Sequence, residues 1–460
     1  MECNCAFYIN FFIEKGEEKM KKKILSAILV AAMTVSMVAC GSGDSTDTQS
    51  GTTTNGGAST DDTNAGGDTA TDASSAIDEL IAATDGTVTL TVWCSELEAY
   101  QTVMATLVDE FKAAYPDVTF DITIGAESEA NCKDDLLNDV EAGADVFVFA
   151  DDQINELVTA GALNPVDTAY TYNLSDAYGE GTLAAASVNG QLYAYPLSAS
   201  NGYFLYYNTA YISEADAASW ESLVAAAETA GKKVGFDFGN VWYTYGFFSG
   251  AGLTATLADD GVNTVCDWNS TSNSPTGAEV AQAIVDLCKS DAVVSVGNAD
   301  AMTMMANDEL VAFVDGTWDA NTVKEAYGDG YAAAKLPTFQ AGGQTVQMGS
   351  FAGYKFVGVN AYSAYKGWAM LLAEYITSEA SQVAIYNATA DGPANTAAAA
   401  QASSPELEAL AAQAAYADLQ RVGGNFWSSG NTLGATLFEG TDDVQAALDE
   451  AVAGITAPVE

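Results

Sequence analysis

Thr87-Val88-Thr89-Leu90-Thr91-Val92-Trp93 opens the folded part of the chain, and its alternation of polar and apolar residues predicts a β-strand. From Tyr100 to Tyr115 the period changes: Val103, Leu107, Val108 and Phe111 fall on one helical face, and Pro116 stops the helix. Val118, Phe120, Ile122 and Ile124 then alternate again. Strand, helix and strand in succession make a βαβ unit with a right-handed crossover, so the stretch predicts an α/β fold. Asp145-Val146-Phe147-Val148-Phe149 follows as a further buried strand.

The same alternation recurs downstream. Residues 203–207 form a continuous apolar run, 220–229 a helix and 234–238 a strand. An amphipathic helix is expected over 277–289, a buried strand over 310–314, and further helices over 366–376 and 405–419. Only 8 prolines interrupt the 460 residues, which favours α/β over a sandwich of short strands. Periodicity leaves open whether the strands form one large sheet or two domains.

Upstream, residues 20–40 read MKKKILSAILVAAMTVSMVAC. Three lysines before a short apolar run and small residues predict a secretory signal peptide over 20–39. Met37-Val38-Ala39-Cys40-Gly41 resembles a lipobox, making Cys40 the expected lipidation site and membrane anchor; an incidental cysteine after an ordinary signal is the alternative. Residues 1–19, acidic where such a signal should be basic, read as an over-extended gene start with Met20 the initiator. Residues 41–75 are rich in Ser, Thr, Asp, Gly and Asn without an aromatic or large apolar side chain, so residues 40–86 are expected to hold the lipidated cysteine and a disordered acidic tether.

Charge and composition exclude several functions. With 62 acidic against 15 basic residues, the net charge of −47 repels nucleic acid and anionic headgroups. The absence of histidine removes Ser-His-Asp and Cys-His catalysis and every His-ligated metal site. No CxxC pair occurs; Cys94, Cys132, Cys266 and Cys288 either form two disulfides or stay free. No cofactor is expected.

Ligands of open α/β sheets sit beyond the carboxyl ends of strands. Three such ends are polar or aromatic here: Cys94-Ser95-Glu96, Ala150-Asp151-Asp152-Gln153 and Asp315-Gly316-Thr317-Trp318. Two loop-like segments add aromatics, Asn240-Val241-Trp242-Tyr243-Thr244-Tyr245 and Gly423-Gly424-Asn425-Phe426-Trp427. Rings stack on the C–H faces of a pyranose while carboxylates accept from its hydroxyls, so this residue set suits a sugar. Taken singly, each tryptophan is equally a packing residue and Asp151-Asp152 a helix cap; Trp93 and Trp368 are expected in the core.

From about Thr87 to Ile455 the order of segments resembles the extracellular solute-binding proteins of carbohydrate ABC importers, especially maltose and maltodextrin binders. Asn189-Gly190-Gln191-Leu192-Tyr193-Ala194-Tyr195-Pro196 is close to the family's NGKLYAYP and is the most specific match. Ala144 to Ala150, Gly161-Ala162-Leu163, Tyr206-Tyr207-Asn208, Trp220-Glu221-Ser222-Leu223, Asp315 to Trp318 and Lys335-Leu336-Pro337-Thr338 follow in the family's order. The resemblance implies a periplasmic-binding-protein-like fold: two α/β lobes, an N-lobe of 87–199 and 356–402 and a C-lobe of 202–352 and 405–460, joined by several hinge crossings around a ligand cleft. It further implies that Gly202, Gly349 and Gly353 absorb the hinge rotation.

Its ligand residues carry over to Phe149, Trp242, Trp318, Trp427 and Asp152, with Glu96, Asp151 and Tyr243 beside them. Gln153 stands where the family commonly has an arginine, which leaves the exact sugar open. The implied function is capture of an oligosaccharide, first a maltodextrin, for delivery to an ABC permease by a monomeric, non-enzymatic protein. Another sugar is the alternative, and a secreted glycoside hydrolase, needing paired carboxylates across a cleft, is the rival of a different class.

Overall fold

The computed structural model describes residues 69–167, 170 and 174–459. The signal segment, Cys40 and the first part of the expected tether lie outside these residues.

The strands sort into two five-stranded sheets, which resolves what periodicity left open. In the N-lobe the order is Thr119–Ala126, Thr87–Cys94, Val146–Ala150, Lys355–Val359, Ala194–Ser198. The first three strands are parallel, and Lys355–Val359 runs antiparallel to both of its neighbours. The C-lobe repeats the plan with Val293–Ser295, Lys233–Phe236, Leu310–Asp315, Phe204–Asn208 and Tyr331–Ala334. Its first three are again parallel, and Phe204–Asn208 is antiparallel to both flanking strands. The central strands Val146–Ala150 and Leu310–Asp315 are buried throughout, as strands covered on both faces must be.

Helix Glu98–Ala114 buries Val103, Leu107, Val108 and Phe111 against the N-lobe sheet, the face the spacing predicts. Trp368 is buried in the same core, where Tyr115 and Phe120 meet it edge-on at 5.2 and 5.1 Å. Helices Lys366–Ile376 and Glu379–Thr389 also pack on this lobe. Helix Pro405–Gln413 instead packs on the C-lobe strands Phe204–Asn208 and Tyr331–Ala334. The chain therefore passes between the sheets three times: within residues 199–203, 353–354 and 390–404. Gly202 and Gly353 are needed there for close approach: a Cβ on Gly353 would sit 2.5 Å from Asp151 Oδ1, and one on Gly202 3.2 Å from the Phe351 carbonyl.

Two sequence expectations change. Regular structure begins before residue 87, because Thr69–Ala83 is helical and its Ile77, Leu80 and Ile81 pack on the N-lobe core. Three apolar residues at helical spacing suffice once a partner surface exists, and Thr84 Oγ1 fastens the end by accepting from Trp368 Nε1 at 2.9 Å. The two loop-like aromatic segments are helical as well: Val241–Gly250 is a helix buried on nearly every side, and Asn425 opens the helix Asn425–Glu439. A helix buried all round carries no amphipathic period to read. Asn240 caps the first of them, its Oδ1 accepting from the Trp242 backbone N–H at 3.0 Å.

Cys94, Cys132, Cys266 and Cys288 are all free thiols, and burial pushes Cys94, Cys266 and Cys288 up to about 12. Among the described residues no helix is long and apolar enough to cross a membrane.

Candidate functional site

On the C-lobe, Leu310–Asp315 ends in a tightly organised turn. Asp315 is fully buried and accepts from the Gly316 backbone N–H at 2.8 Å, the Tyr243 hydroxyl at 3.0 Å and Asn298 Nδ2 at 3.2 Å. Burial, then the nearby charge of Asp319, pushes its carboxyl well above the ordinary carboxylate range. This turn folds Trp318 back over Gly316, where any Cβ would lie 2.1 Å from the indole. Trp318 then meets Trp242, their ring centroids 5.7 Å apart at 44°. Behind Trp242, Tyr203 and Tyr243 pack at 4.6 and 5.0 Å. Both indoles are half-buried, so together they present a partly exposed aromatic surface with a solid backing.

The N-lobe supplies charge. Asp151 and Asp152 follow the end of strand Val146–Ala150, where the parallel sheet aims its ligand-facing edge. Asp151 is wholly buried and accepts from Arg421 at 2.7 Å; burial outweighs that cation and raises its carboxyl above the ordinary value. Asp152 is raised from 3.8 to about 7, first by burial and then by the charge of Asp151, against hydrogen bonding from Gln420 and the charge of Arg421. Gln420 also accepts from the Trp242 indole N–H at 2.6 Å.

Beneath these groups lies Lys355, buried between Asp391 at 2.8 Å and Glu129 at 3.5 Å, with the Trp318 and Tyr100 rings each 5.9 Å from its Nζ. Burial alone would lower its pKa; the two carboxylates outweigh burial and keep it charged. Asp391 also accepts from Thr317 Oγ1 at 3.2 Å and from Ser200 Oγ at 3.4 Å, so residues of both lobes and a hinge crossing share one network. Two buried carboxylate oxygens nearby, Asp151 Oδ1 and Asp152 Oδ1, have no hydrogen-bond donor. Such atoms favour a ligand that brings donors of its own.

The structure brings together Trp242, Trp318, Asp151 and Asp152 through Gln420, Arg421 and Lys355. Several expected site residues lie elsewhere. Phe149 is fully buried, packed on Phe147 and Phe356 at 5.6 and 5.9 Å, and offers no face to a ligand. Tyr243 is buried behind Trp242, its hydroxyl committed to Asp315. Glu96 is exposed beyond the first strand. Trp427 lies half-buried against the C-lobe core beside Phe426 at 5.2 Å, with no ring contact to Trp242 or Trp318 among the described residues. An apolar cavity of about 360 Å³ opens among the hinge segments, lined by Gly202, Phe351, Gly353, Leu407 and Leu410. It carries neither a tryptophan nor a charged side chain.

Sequence reasoning missed Lys355, Gln420 and Arg421. For Arg421 a signal existed: it is the only arginine in the whole chain. For Lys355 and Gln420 nothing local marks the position.

Residues 106–415 match the family described as bacterial extracellular solute-binding protein. The chain belongs to that family. This solute-binding protein is 25 % identical over 338 residues to the galactooligosaccharide-binding protein of Bacillus subtilis (strain 168), covering 69 % of this chain and 78 % of the relative. Its fold is similar to that of a solved structure with acarbose, at TM-score 0.72 and 26 % identity over 81 % of this chain and 99 % of the other. It is also similar in fold to a maltodextrin binding protein from L. casei without ligand, at TM-score 0.67 and 24 % identity, over 81 % of this chain and 100 % of the other. The fold is therefore that of the periplasmic-binding-protein class, two α/β lobes about a cleft.

Proposed function

We propose that this chain captures an oligosaccharide of the maltose or maltodextrin type outside the cell and hands it to the permease of an ABC importer. The observation that carries the reading is the tilted pair Trp242 and Trp318, 5.7 Å apart, set beside buried carboxylate oxygens that have no donor. Two rings offer stacking worth on the order of 0.5–1.5 kcal/mol each beyond buried area, and the carboxylates accept from sugar hydroxyls. Arg421 and Lys355 are already ion-paired, so no cation in the site calls for an anionic ligand. Ligand touching both lobes favours the closed state, because that state alone makes both sets of contacts.

The names of the relatives support the sugar class, and the Bacillus subtilis likeness favours a galactose-containing oligosaccharide as second reading. We read the chain as a binder without hydrolytic activity: Asp151, one of the two carboxyls at the strand end, is tied to Arg421. The remaining parts of the reading are a lipid anchor at Cys40 and a monomeric state.

A thermal-shift screen of maltotriose against galactooligosaccharides tests the ligand. Stabilisation by neither class sinks the reading, and stabilisation by the second alone moves the assignment to it. Chromatography of maltotriose after incubation should return it uncleaved. A Cys40→Ala variant should appear in the medium, where wild type stays with the cells.

A further inference from the structure

Gln420 and Arg421 of the C-lobe are consecutive, and Arg421 meets Asp151 of the N-lobe. Arg421 makes the ion pair. Gln420 does something different: its buried side chain accepts from the Trp242 indole N–H at 2.6 Å through Oε1. Its backbone is fixed separately. The Gln420 N–H donates to the Ala352 carbonyl at 3.0 Å, extending the parallel pairing of Ala417–Leu419 with Ser350–Ala352 at the hinge. A buried carboxamide on a pinned backbone presents its oxygen to that indole from a fixed base. Trp242 is half-buried, its face backed by Tyr203 and Tyr243 and its N–H edge held by Gln420.

We propose that Gln420 is a positioning residue that sets the plane of the Trp242 indole against Trp318, fixing the ring pair on which the ligand is held. The proposal rests on the reading of the cleft as a saccharide site. The side-chain chemistry required is narrow. The group must accept from an indole N–H without adding a charge near Asp151, which an amide does and neither a carboxylate nor an alkyl group does. Asp152 Oδ1 stays without a donor in this arrangement, so the carboxyl still has an oxygen for a ligand hydroxyl. Leucine at 420 removes the bond. Glutamate keeps the acceptor for Trp242 and sets a third carboxylate near Asp151, Asp152 and the Arg421 cation.

The test uses the mature chain carrying Gln420→Leu or Gln420→Glu, each also in a Trp242→Phe background. Without ligand, Gln420→Leu should red-shift tryptophan emission in the wild-type background and leave it unmoved in the Trp242→Phe background. With maltotriose, Gln420→Leu should weaken affinity about tenfold, the size expected for losing a buried hydrogen bond. Gln420→Glu should bind close to wild type at low pH and lose affinity progressively as pH rises and the three carboxyls compete for protons. An equal emission shift in both backgrounds, or a pH-independent loss for Gln420→Glu, would overturn the positioning role. If Gln420→Leu does not fold, the pH profile of Gln420→Glu, read by emission as well as by titration, decides alone. If no saccharide binds wild type, the sugar reading falls, and the emission experiment still decides whether Gln420 holds the indole.

Discussion

Arg421 of the C-lobe reaches across to Asp151 of the N-lobe, donating to Oδ2 at 2.7 Å, while its second nitrogen donates to the Ala185 carbonyl at 3.3 Å. The only arginine of the chain thus spans the two halves, on a carboxylate with no exposed surface. Removing one partner of a buried pair leaves the other charge uncompensated, at a cost of about 3 kcal/mol. Arg421→Met should lower the melting temperature of the ligand-free protein and expand its scattering profile as the lobes part. A variant with unchanged melting and unchanged scattering would show the pair to be incidental to closure.

The two half-buried indoles should carry sugar affinity unequally with the third. Trp318→Ala and Trp242→Ala are each expected to weaken binding tenfold or more while leaving the circular dichroism of the domain intact. Trp427→Ala, whose ring lies apart from that pair, should change affinity less than about threefold. Titrations ranking Trp427 first would relocate the stacking surface toward the start of helix Asn425–Glu439.

Phe149 offers the converse case. Its ring fills the N-lobe core, so Phe149→Leu should cost about 1–2 kcal/mol in denaturant unfolding and leave saccharide affinity unchanged. Loss of affinity without loss of stability would restore it as a ligand contact.

Acidity should stabilise the ligand-free protein through Asp152. Its carboxyl is raised from 3.8 to about 7 by burial and by the neighbouring charge of Asp151. Between those two values the folded chain keeps a proton that the unfolded chain has released, so stability falls as pH rises from about 4 to about 7. Asp315, Asp151, Asp237 and Glu127 are shifted in the same direction, so the slope is shared. Asp152→Asn should flatten the melting-temperature profile across that window. A profile as steep as that of wild type would mean that the slope belongs to the other carboxyls.

Much of this molecule was legible before any coordinates. Period-two alternation from Thr87 and the helical face of Val103, Leu107, Val108 and Phe111 are local consequences of how strands and helices bury one side, and both reappear in the fold. Strand ends at Asp151 and at Trp318 follow from the same pattern, since a parallel sheet presents its ligand edge where its strands stop. Helix Val241–Gly250 was not legible, because burial all round erases the amphipathic signal, nor was helix Thr69–Ala83, whose three apolar residues need the N-lobe surface before they count.

What the sequence determined alone was the alternation of strands and helices, the acidic charge and the absence of histidine chemistry, since each depends on residues close along the chain or on composition. Which of the aromatic residues face a common gap was decided by tertiary structure. Phe149 and Trp318 both stand at the end of a buried central strand. One side chain points into the core and the other folds back over Gly316, a difference set by the packing of the sheet and the turn held by Asp315. Asp151 and Arg421 are 270 residues apart, and no local rule brings such a pair together. Only the return of the chain through its last hinge crossing does so.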